Sequence, residues 1–364
     1  VRTPSVVQGR WREQRWSYNA QGQPTRVVQT GWVPALPKEA GSSTGEPQAL
    51  KREVNYSYQR INNRSVLVAV DGPLPGADDT RRYVWDKRGD FVSSEELPLK
   101  LRRSLVRDAT GRVVTSTDVD GVPVRLRYTP MGQALHWQRG EAEVRLTLDA
   151  QERPTRIELP DGEVQQLAYG GPQGQGSALA MSSNAGWARW LARPEPSVMP
   201  APARVPMPEP MTTPEPAQSP PWADEQVIID DFGRLVAMHT QTTGWELRSY
   251  DAQDQIVARH TSDGTDWRWQ RDALGRITRH VVSRPGQAEQ VTTLRYKGPW
   301  LIDVVHPHES EHLSYDALGR LSTRTVRRQQ LSYTERLAYD AADRVTRHDL
   351  PEGGSLRYAW GVGR

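Results

Sequence analysis

Residues 315–321, Tyr-Asp-Ala-Leu-Gly-Arg-Leu, are the segment that decides how this chain folds. Residues 271–277 repeat it almost letter for letter, as Arg-Asp-Ala-Leu-Gly-Arg-Ile. Weaker copies occupy residues 18–23, 85–91, 107–113, 128–133, 148–153, 229–235, 250–256 and 339–345. A segment that recurs this often indicates a repeat protein, so the unit of the fold is the copy.

The copies follow one another at a nearly constant step. Their second residues fall at 86, 108, 129 and 149 in the first half, and at 230, 251 and 272 in the second. This period is too short for a pair of helices. It fits two strands of about six to eight residues and two turns, which is a β-hairpin.

Each copy contains the residues of a tight turn. Asp at the first position and Gly at the fourth are typical of a type I turn, because Asp hydrogen-bonds the local backbone and Gly accepts positive φ. Such a turn closes a hairpin through a bulge. We therefore predict that Asp316 lies opposite Arg320 on one face of the hairpin. Tyr315 should lie opposite Leu321 on the other face, and residues 271–277 should repeat the arrangement.

Three copies lack the glycine of the turn. Glu152, Asp254 and Asp343 stand at the fourth position instead. The left-handed conformation costs an L-residue other than glycine about 1–2 kcal/mol. We therefore expect these three turns to be irregular.

The segments around the turns alternate in polarity. Residues 124–128, Val-Arg-Leu-Arg-Tyr, place an apolar or aromatic residue at every second position, and residues 144–148 do the same. Period-two alternation is typical of strands whose two faces differ chemically. The sequence therefore predicts an all-β fold of tandem antiparallel β-hairpins.

The composition favours a thin sheet over a thick apolar core. Only 36% of the residues are hydrophobic, and the mean hydropathy is −0.72. Thirteen Trp and twelve Tyr nevertheless supply large side chains that can be buried on one side. There is no cysteine for disulfides or thiolate chemistry. No apolar run is long enough to span a membrane, so we predict no membrane span.

The charge pattern argues against nucleic-acid binding. Five of the 47 basic residues are Lys, so 42 are Arg, and the net charge is +3. The 44 acidic residues are interleaved with the basic ones, however, and no basic block stands out. We predict no nucleic-acid partner.

A proline-rich stretch divides the repeats into two arrays. Residues 193–222 carry a proline at nearly every third position, which is typical of an extended linker. We predict a first array at residues 1–190, a linker at 191–223 and a second array at 224–364. One continuous sheet with a looped-out linker is favoured, and two separate strips remain the alternative.

The recurring Tyr-Asp-Ala-Leu-Gly-Arg-Leu motif resembles the RHS or YD-repeat family. That family includes bacterial polymorphic toxins, components of insecticidal toxin complexes and the teneurins. Residues 71–80 before Tyr83 also resemble linking turns of long bacterial members. The resemblance implies a β-sheet strip that spirals into a partial or complete hollow shell around a toxin domain or another polypeptide.

Two features of the family are missing from this sequence. The Asp-Pro-x-Gly segment, which in the family belongs to the Asp-containing part that closes the shell and cleaves off the toxin, does not occur. We also expect no toxin domain within these 364 residues. We therefore expect any enclosing or self-cleaving activity to belong to parts outside this sequence.

The resemblance implies a non-catalytic structural shell segment, secreted or at the cell surface. Its expected partners are the remainder of an RHS chain or an encapsulated toxin domain. A surface adhesion or carbohydrate-binding module, with a glycan as partner, is the alternative, and a glycan hydrolase is a remote one. We predict no catalytic, metal-binding or cofactor-binding residues and no cofactor.

Four features of the sequence suggest a functional site, and each also has a simpler explanation. His306, His308 and His312 with two neighbouring Glu suggest zinc, but Pro307 and the nearby turn favour an exposed loop. Adjacent Asp230 and Asp231 point to opposite faces of a strand, so they do not form a catalytic pair. The glycine-rich residues 170–176 lack a following helix for phosphate binding. Residues 267 and 269, both Trp, share a face that could stack on sugar rings, but packing within the sheet is the simpler role.

Overall fold

The computed structural model describes residues 1–36, 46–97, 99–169, 178–180 and 226–361. The regular elements in these ranges are all β-strands, and within each sheet consecutive strands pair antiparallel. The predicted all-β fold of antiparallel hairpins is confirmed. The proline-rich linker at residues 193–222 and the glycine-rich residues 170–176 lie outside the described residues.

The first large sheet contains fourteen strands in sequence order. They are β1 (Arg2–Pro4), β2 (Trp11–Tyr18), β3 (Pro24–Val33), β4 (Gln48–Ile61), β5 (Arg64–Asp71), β6 (Arg81–Trp85), β7 (Phe91–Glu96), β8 (Leu101–Arg107), β9 (Val113–Thr117), β10 (Pro123–Tyr128), β11 (Ala134–Arg139), β12 (Ala142–Leu148), β13 (Pro154–Glu158) and β14 (Val164–Gln166). A two-stranded sheet of β15 (Ala168–Tyr169) and β16 (Ala178–Ala180) follows.

The second large sheet contains thirteen strands, again in sequence order. They are β17 (Gln226–Ile229), β18 (Leu235–Thr240), β19 (Gly244–Tyr250), β20 (Ile256–Thr261), β21 (Asp266–Arg271), β22 (Ile277–Ser283), β23 (Gln290–Lys297), β24 (Trp300–Val305), β25 (Glu309–Tyr315), β26 (Leu321–Arg328), β27 (Leu331–Tyr339), β28 (Val345–Asp349) and β29 (Ser355–Arg357). The described strands therefore form two large sheets rather than one, which is the alternative that the sequence left open.

The turn between β25 and β26 has the predicted hydrogen bonds. The backbone N–H of Gly319 donates to the carbonyl of Asp316 at 3.0 Å, and Gly319 has a φ of 77°. The Asp316 carboxylate accepts hydrogen bonds from the backbone N–H groups two and four residues later, at 2.9 and 3.0 Å. Arg320 Nε donates to Asp316 Oδ2 at 2.7 Å. The acidic side chain therefore organises the turn and binds the Arg that follows it.

The cross-strand pairs next to the turns are also as predicted. Tyr315 lies opposite Leu321, with a bulge before it. In the copy at residues 271–277, the first and last residues face each other in the same way. The Asp272 carboxylate accepts a hydrogen bond from Arg276 Nε at 2.8 Å. One local motif therefore sets the register of each hairpin.

The three turns without glycine keep the same backbone. Glu152, Asp254 and Asp343 have φ values of 60°, 67° and 61°. Their N–H groups donate to the Asp carbonyl three residues earlier, at 2.9, 3.3 and 3.2 Å. The prediction that these turns are irregular is wrong. The paired strands on both sides fix the turn, so each residue adopts the left-handed conformation at a local cost of about 1–2 kcal/mol.

The two faces of the sheet differ chemically along its length. On five successive strands, β23 to β27, one series of directly opposite residues is polar: Arg295, Asp303, His312, Thr325 and Thr334. The neighbouring series on the other face is Leu294, Val304, Glu311, Val326 and Tyr333. We call these two sides the polar face and the aromatic face, since the repeat Tyr lies on the second.

The buried apolar residues form small clusters. In the first sheet, the cluster is Val27, Tyr56, Leu67, Tyr83 and Phe91, with partly buried neighbours such as Trp16 and Trp85 around it. In the second sheet, Ala237, Trp245 and Leu247 form a smaller one, against which Leu36 packs from the segment that follows β3. Most other described residues are partly exposed, as expected for a thin sheet.

Glu152→Gly should stabilise the protein. The variant removes the left-handed cost, while the glycine adds chain entropy to the unfolded state, so we expect a net gain of about 0.5–1 kcal/mol. Urea unfolding followed by tryptophan fluorescence would measure it.

Asp254→Gly is the matched control, because this residue also makes ion pairs with Arg52 and Arg234 that the glycine would lose. It should not stabilise. An unchanged or lower unfolding midpoint for Glu152→Gly would contradict the left-handed cost.

Candidate functional site

The turn Arg of one repeat contacts the turn of the next repeat. Arg320 Nη1 donates to the carbonyl of Asp340 at 2.9 Å, and its guanidinium lies 4.8 Å from the centre of the Tyr339 ring. The Tyr339 hydroxyl donates back to the carbonyl of Leu321 at 2.8 Å. A charge-assisted hydrogen bond, a cation–π contact and a hydroxyl hydrogen bond therefore tie neighbouring repeats together.

The same ladder recurs in both large sheets. Arg112 Nη1 donates to the carbonyl of Thr129 at 2.7 Å, the guanidinium lies 5.3 Å from the Tyr128 ring, and the Tyr128 hydroxyl donates to the carbonyl of Val113 at 2.8 Å. The cation–π pairs elsewhere are Arg153 with Tyr169, Arg234 with Tyr250, Arg276 with Tyr296, and Arg344 with Trp360. The sequence reasoning paired these residues only within one hairpin and missed the ladder. The signal was present in the recurrence of a Tyr or Trp 16 to 20 residues after each turn Arg.

Two of the turns without glycine use their acidic side chain in this ladder. Arg234 Nη1 lies 3.2 Å from Asp254 Oδ1, and Arg320 Nη1 lies 3.0 Å from Asp343 Oδ1. Each Asp therefore receives the Arg of the preceding repeat. These contacts offset part of the backbone cost at both positions.

The Asp–Arg pairs keep the turn carboxylates ionised. The Arg153 guanidinium lowers the pKa of Asp149 below its ordinary value of 3.8. Burial opposes ionisation at Asp316, but the backbone N–H and guanidinium of Arg320 still lower the pKa of this carboxyl. The same balance lowers the pKa of Asp340 beside Arg344. The turns therefore contribute fully to the stability of the fold only while these carboxyl groups are ionised.

Asp231 joins the two large sheets. We call residues 1–169 the first winding and residues 226–361 the second winding. The Asp231 side chain is 1% exposed, and its carboxylate accepts hydrogen bonds from Ser5 Oγ at 2.7 Å, Val6 N at 2.8 Å and Trp32 N at 2.7 Å. Its backbone N–H donates to the carbonyl of Trp32 at 3.1 Å. Its carbonyl accepts a hydrogen bond from Arg12 Nη1 at 3.1 Å. All of these partners belong to the first winding.

Gly31 allows this close approach. A Cβ atom at that position would lie 2.7 Å from Asp231 Cβ and 3.1 Å from the Phe232 ring. The Arg52 guanidinium covers the same ring at 4.2 Å and donates to Asp254 Oδ2 at 2.7 Å. The first repeat turn of the second winding is therefore seated in a matching site on the first winding.

The contacts between the windings run in order along both. From the start of the second winding to its end, they include Asp231 with Ser5 and Trp32, the neighbouring Asp254 and Gln253 with Arg52 and Asp79 respectively, Leu318 with Arg139, and Arg344 with Asp161. The residues of the second winding lie in repeat turns. Most of those of the first winding lie at the edge that carries no repeat turns, in connections such as β1–β2, β5–β6 and β13–β14. The turn edge of one winding therefore rests on the opposite edge of the other, as in a spiral strip.

A cavity of about 510 Å³ lies at this junction. Residues of both windings line it, including Leu36, Leu50, Leu247, Tyr250 and Arg248. The lining mixes apolar side chains with polar groups that already pair with each other, as His260 does with Asp266 at 2.8 Å. The cavity is formed where the second winding packs against the first.

His306 and His308 lie in an exposed loop, as predicted, but His312 lies within strand β25, so the structure separates the three. His306 and His308 are exposed between β24 and β25, and His306 Nδ1 lies 3.1 Å from Thr292 Oγ1. His312 pairs with Asp303 at 2.7 Å on the polar face. No group of three or more His, Cys, Asp or Glu that could hold a metal occurs in the described part of the chain.

The two adjacent carboxylates also point apart, as predicted. Asp230 binds Arg234 of its own turn at 2.6 Å, whereas Asp231 turns to the first winding. This arrangement does not place two carboxylates on either side of one bond.

Two tryptophans lie on the aromatic face, as predicted for residues 267 and 269. The Arg259 guanidinium lies 4.5 Å from the centre of the Trp267 ring. His280 stacks on Trp269 with ring centres 5.3 Å apart. One face of each indole is therefore covered by a neighbouring strand, which leaves less surface for a sugar ring.

Comparisons with known proteins bear on the repeat and on the fold. The family model described as RHS Repeat matches residues 250–284, which confirms the resemblance drawn from the turn motif. The chain is similar to the crystal structure of TcdB2-TccC3-Cdc42, with 15% identity over 93% of this chain and 15% of that chain, and a TM-score of 0.33. It is also similar to a Photorhabdus luminescens Tc holotoxin pore, with 14% identity over 92% of this chain and 15% of that chain, and a TM-score of 0.30.

The chain spans about 15% of the length of these solved chains. No curated protein matches it. Within the described ranges, no helix is apolar and long enough to cross a membrane.

Unfolding at low pH should reflect the turn carboxylates. Their pKa values are lowered in the folded protein, so their contribution to stability is complete above the ordinary value of 3.8 and is lost as the pH falls through the lower folded pKa. The urea midpoint should be constant at pH values well above 3.8 and fall below it. Asp316→Asn should be less stable at neutral pH and should lose less on acidification. A wild-type midpoint that does not change down to pH 2 would contradict this account.

Asp231→Ala should loosen the junction between the windings. The substitution leaves two backbone N–H groups and one hydroxyl, all partly buried, without their acceptor, which we expect to cost about 3 kcal/mol. Urea unfolding and limited proteolysis would measure the loss. Asp78→Ala, at an exposed position on the β5–β6 connection, is the charge-matched control and should stay within about 0.5 kcal/mol of the wild type. Equal effects of the two variants would contradict the role of Asp231.

Proposed function

We propose that this RHS-repeat chain is a structural segment of a shell wall that encloses an effector polypeptide, and that it has no catalytic role of its own. The single observation that carries the proposal is the seating of the second winding on the first. A strip that rests edge on edge after each winding forms a continuous wall. A wall of this kind has an inner and an outer side, so it can separate a polypeptide from solvent.

The thickness of the sheet supports a wall. The sheets of fourteen and thirteen strands bury only small apolar clusters, and most side chains on both faces are partly exposed. A compact domain of this length would bury a larger core. The chain instead forms wide sheets that are one strand layer thick.

The sequence separation of the contacts supports a winding rather than a local fold. Asp231 meets Ser5 across 226 residues, Gln253 meets Asp79 across 174, and Arg344 meets Asp161 across 183. Each separation covers many hairpins, so the strip travels a long path before it returns to itself. Such a path leaves room inside.

The alternatives have less support from the same residues. A glycan-binding surface at Trp267 and Trp269 must work with indoles that are half covered by Arg259 and His280. A glycan hydrolase needs two carboxylates that flank one bond, and Asp230 and Asp231 are held by different partners. Export to the cell surface or medium is part of the shell proposal, since a shell protects its contents outside the cell.

Electron microscopy of the whole natural protein tests the proposal. We expect a hollow particle whose wall contains these repeats and whose interior holds polypeptide density. In the Asp231→Ala variant, the interior polypeptide should become accessible to protease, whereas Asp78→Ala should leave it protected. A solid particle, or a hollow one with no polypeptide inside, would contradict the proposal.

A further inference from the structure

The polar face of the second winding carries four exposed arginines near its last strands. Strands β26 to β29 contribute one each: Arg327, Arg336, Arg347 and Arg357. We call these four residues the cationic patch. Arg347 lies directly opposite Arg357, and it lies diagonal to Arg336 across the β27–β28 pair.

Negative charge on this part of the face does not balance the patch. The described residues of the polar face on β26 to β29 include one carboxylate, Asp349. It accepts a hydrogen bond from Arg347 Nε at 2.7 Å, so it is already engaged. Arg336 lies directly opposite Asp349, and its charge helps to lower the pKa of that carboxyl. Within the described ranges, however, no salt bridge joins Arg327, Arg336 or Arg357 to a carboxylate, so one acid faces four arginines.

The pairing of Arg347 with Arg357 is unfavourable by itself. Like charges directly opposite each other on one face of an antiparallel pair destabilise the pair. Elsewhere on the same face, Arg is matched with an acid, as Arg295 is with Asp303. An anion bound between the arginines would relieve this repulsion.

Short hydroxyl side chains surround the patch. Ser332 lies opposite Arg327, Thr323 lies opposite Arg336, and Thr325 lies opposite Thr334. No Trp, Tyr or Phe occurs among the described residues of the polar face on these strands. The surface therefore offers charged and hydroxyl donors but no ring on which a base or a sugar could stack.

We propose that the cationic patch binds an acidic polypeptide segment in extended conformation. Alternate side chains of such a segment lie about 6.5–7 Å apart. This spacing is close to the about 7–8 Å that separates diagonal cross-strand neighbours such as Arg336 and Arg347. A guanidinium binds a carboxylate with two parallel hydrogen bonds, and the Ser and Thr hydroxyls supply further donors. The absence of stacking rings favours a polypeptide over single-stranded nucleic acid or a neutral glycan.

The inference rests on the proposed function only in taking the bound segment to be part of the enclosed polypeptide. Binding itself requires no shell, so it is measured separately from enclosure. If microscopy contradicts the shell, the cationic patch can still be a peptide-binding surface. If the peptide does not bind, the proposal of a shell wall is unaffected.

The test is a fluorescence anisotropy titration of the purified protein with a labelled oligoglutamate peptide at low ionic strength. The patch variant R336Q/R357Q should bind about threefold to tenfold more weakly than the wild type, since two exposed ion pairs are lost. The control variant R284Q/R328Q removes two exposed cations outside the patch and changes the net charge equally. It should bind like the wild type.

Heparin and oligothymidylate serve as comparison probes. Preferential binding of oligoglutamate, weakened only in the patch variant, would support the proposal. It would be overturned by no oligoglutamate binding, by equal losses in the two variants, or by binding of heparin or oligothymidylate with oligoglutamate excluded. Circular dichroism of both variants would check that the sheets remain folded.

Discussion

The ion pair between a turn Asp and the Arg four residues later is the interaction on which the rest of the structure depends. In the turn of Asp316 and Arg320, the carboxylate accepts two backbone N–H groups and the guanidinium at the same time. Once held by its own turn, the guanidinium is aimed at the next turn, where it meets Asp340 and Tyr339. The local turn and the contact between repeats therefore share one side chain. Each hairpin therefore stabilises its neighbour, as expected for a repeat protein.

The sequence was sufficient for most features that are decided inside one repeat. The pairs of Asp316 with Arg320 and of Tyr315 with Leu321 follow from turn chemistry and strand alternation, and both are present. Asp230 and Asp231 point apart as predicted, although they lie in the turn after β17 and not on a strand, so strand alternation is not the cause. The regular turn at Glu152 is a local feature that the sequence did not predict.

The sequence was insufficient where the partner lies in another repeat or another winding. Asp254 and Asp343 were expected to distort their turns, but each receives an Arg from the preceding repeat. The site of Asp231 depends on Ser5, Val6 and Trp32, which lie about two hundred residues earlier in the chain. No local pattern encodes such a meeting, because it depends on how far the strip curves over many hairpins. The preference for one continuous sheet failed for the same reason.

The order of contacts between the windings has a consequence for how such a chain can change in length. Leu318 meets Arg139 and Arg344 meets Asp161 because the repeat turns of the second winding keep step with the connections of the first. Inserting or deleting a single hairpin in only one winding would move every later turn off its seat. Surface loops can grow without this penalty, since they do not change the number of strands. The lengths of the two windings are therefore coupled in units of one hairpin, and a change in one favours a matching change in the other.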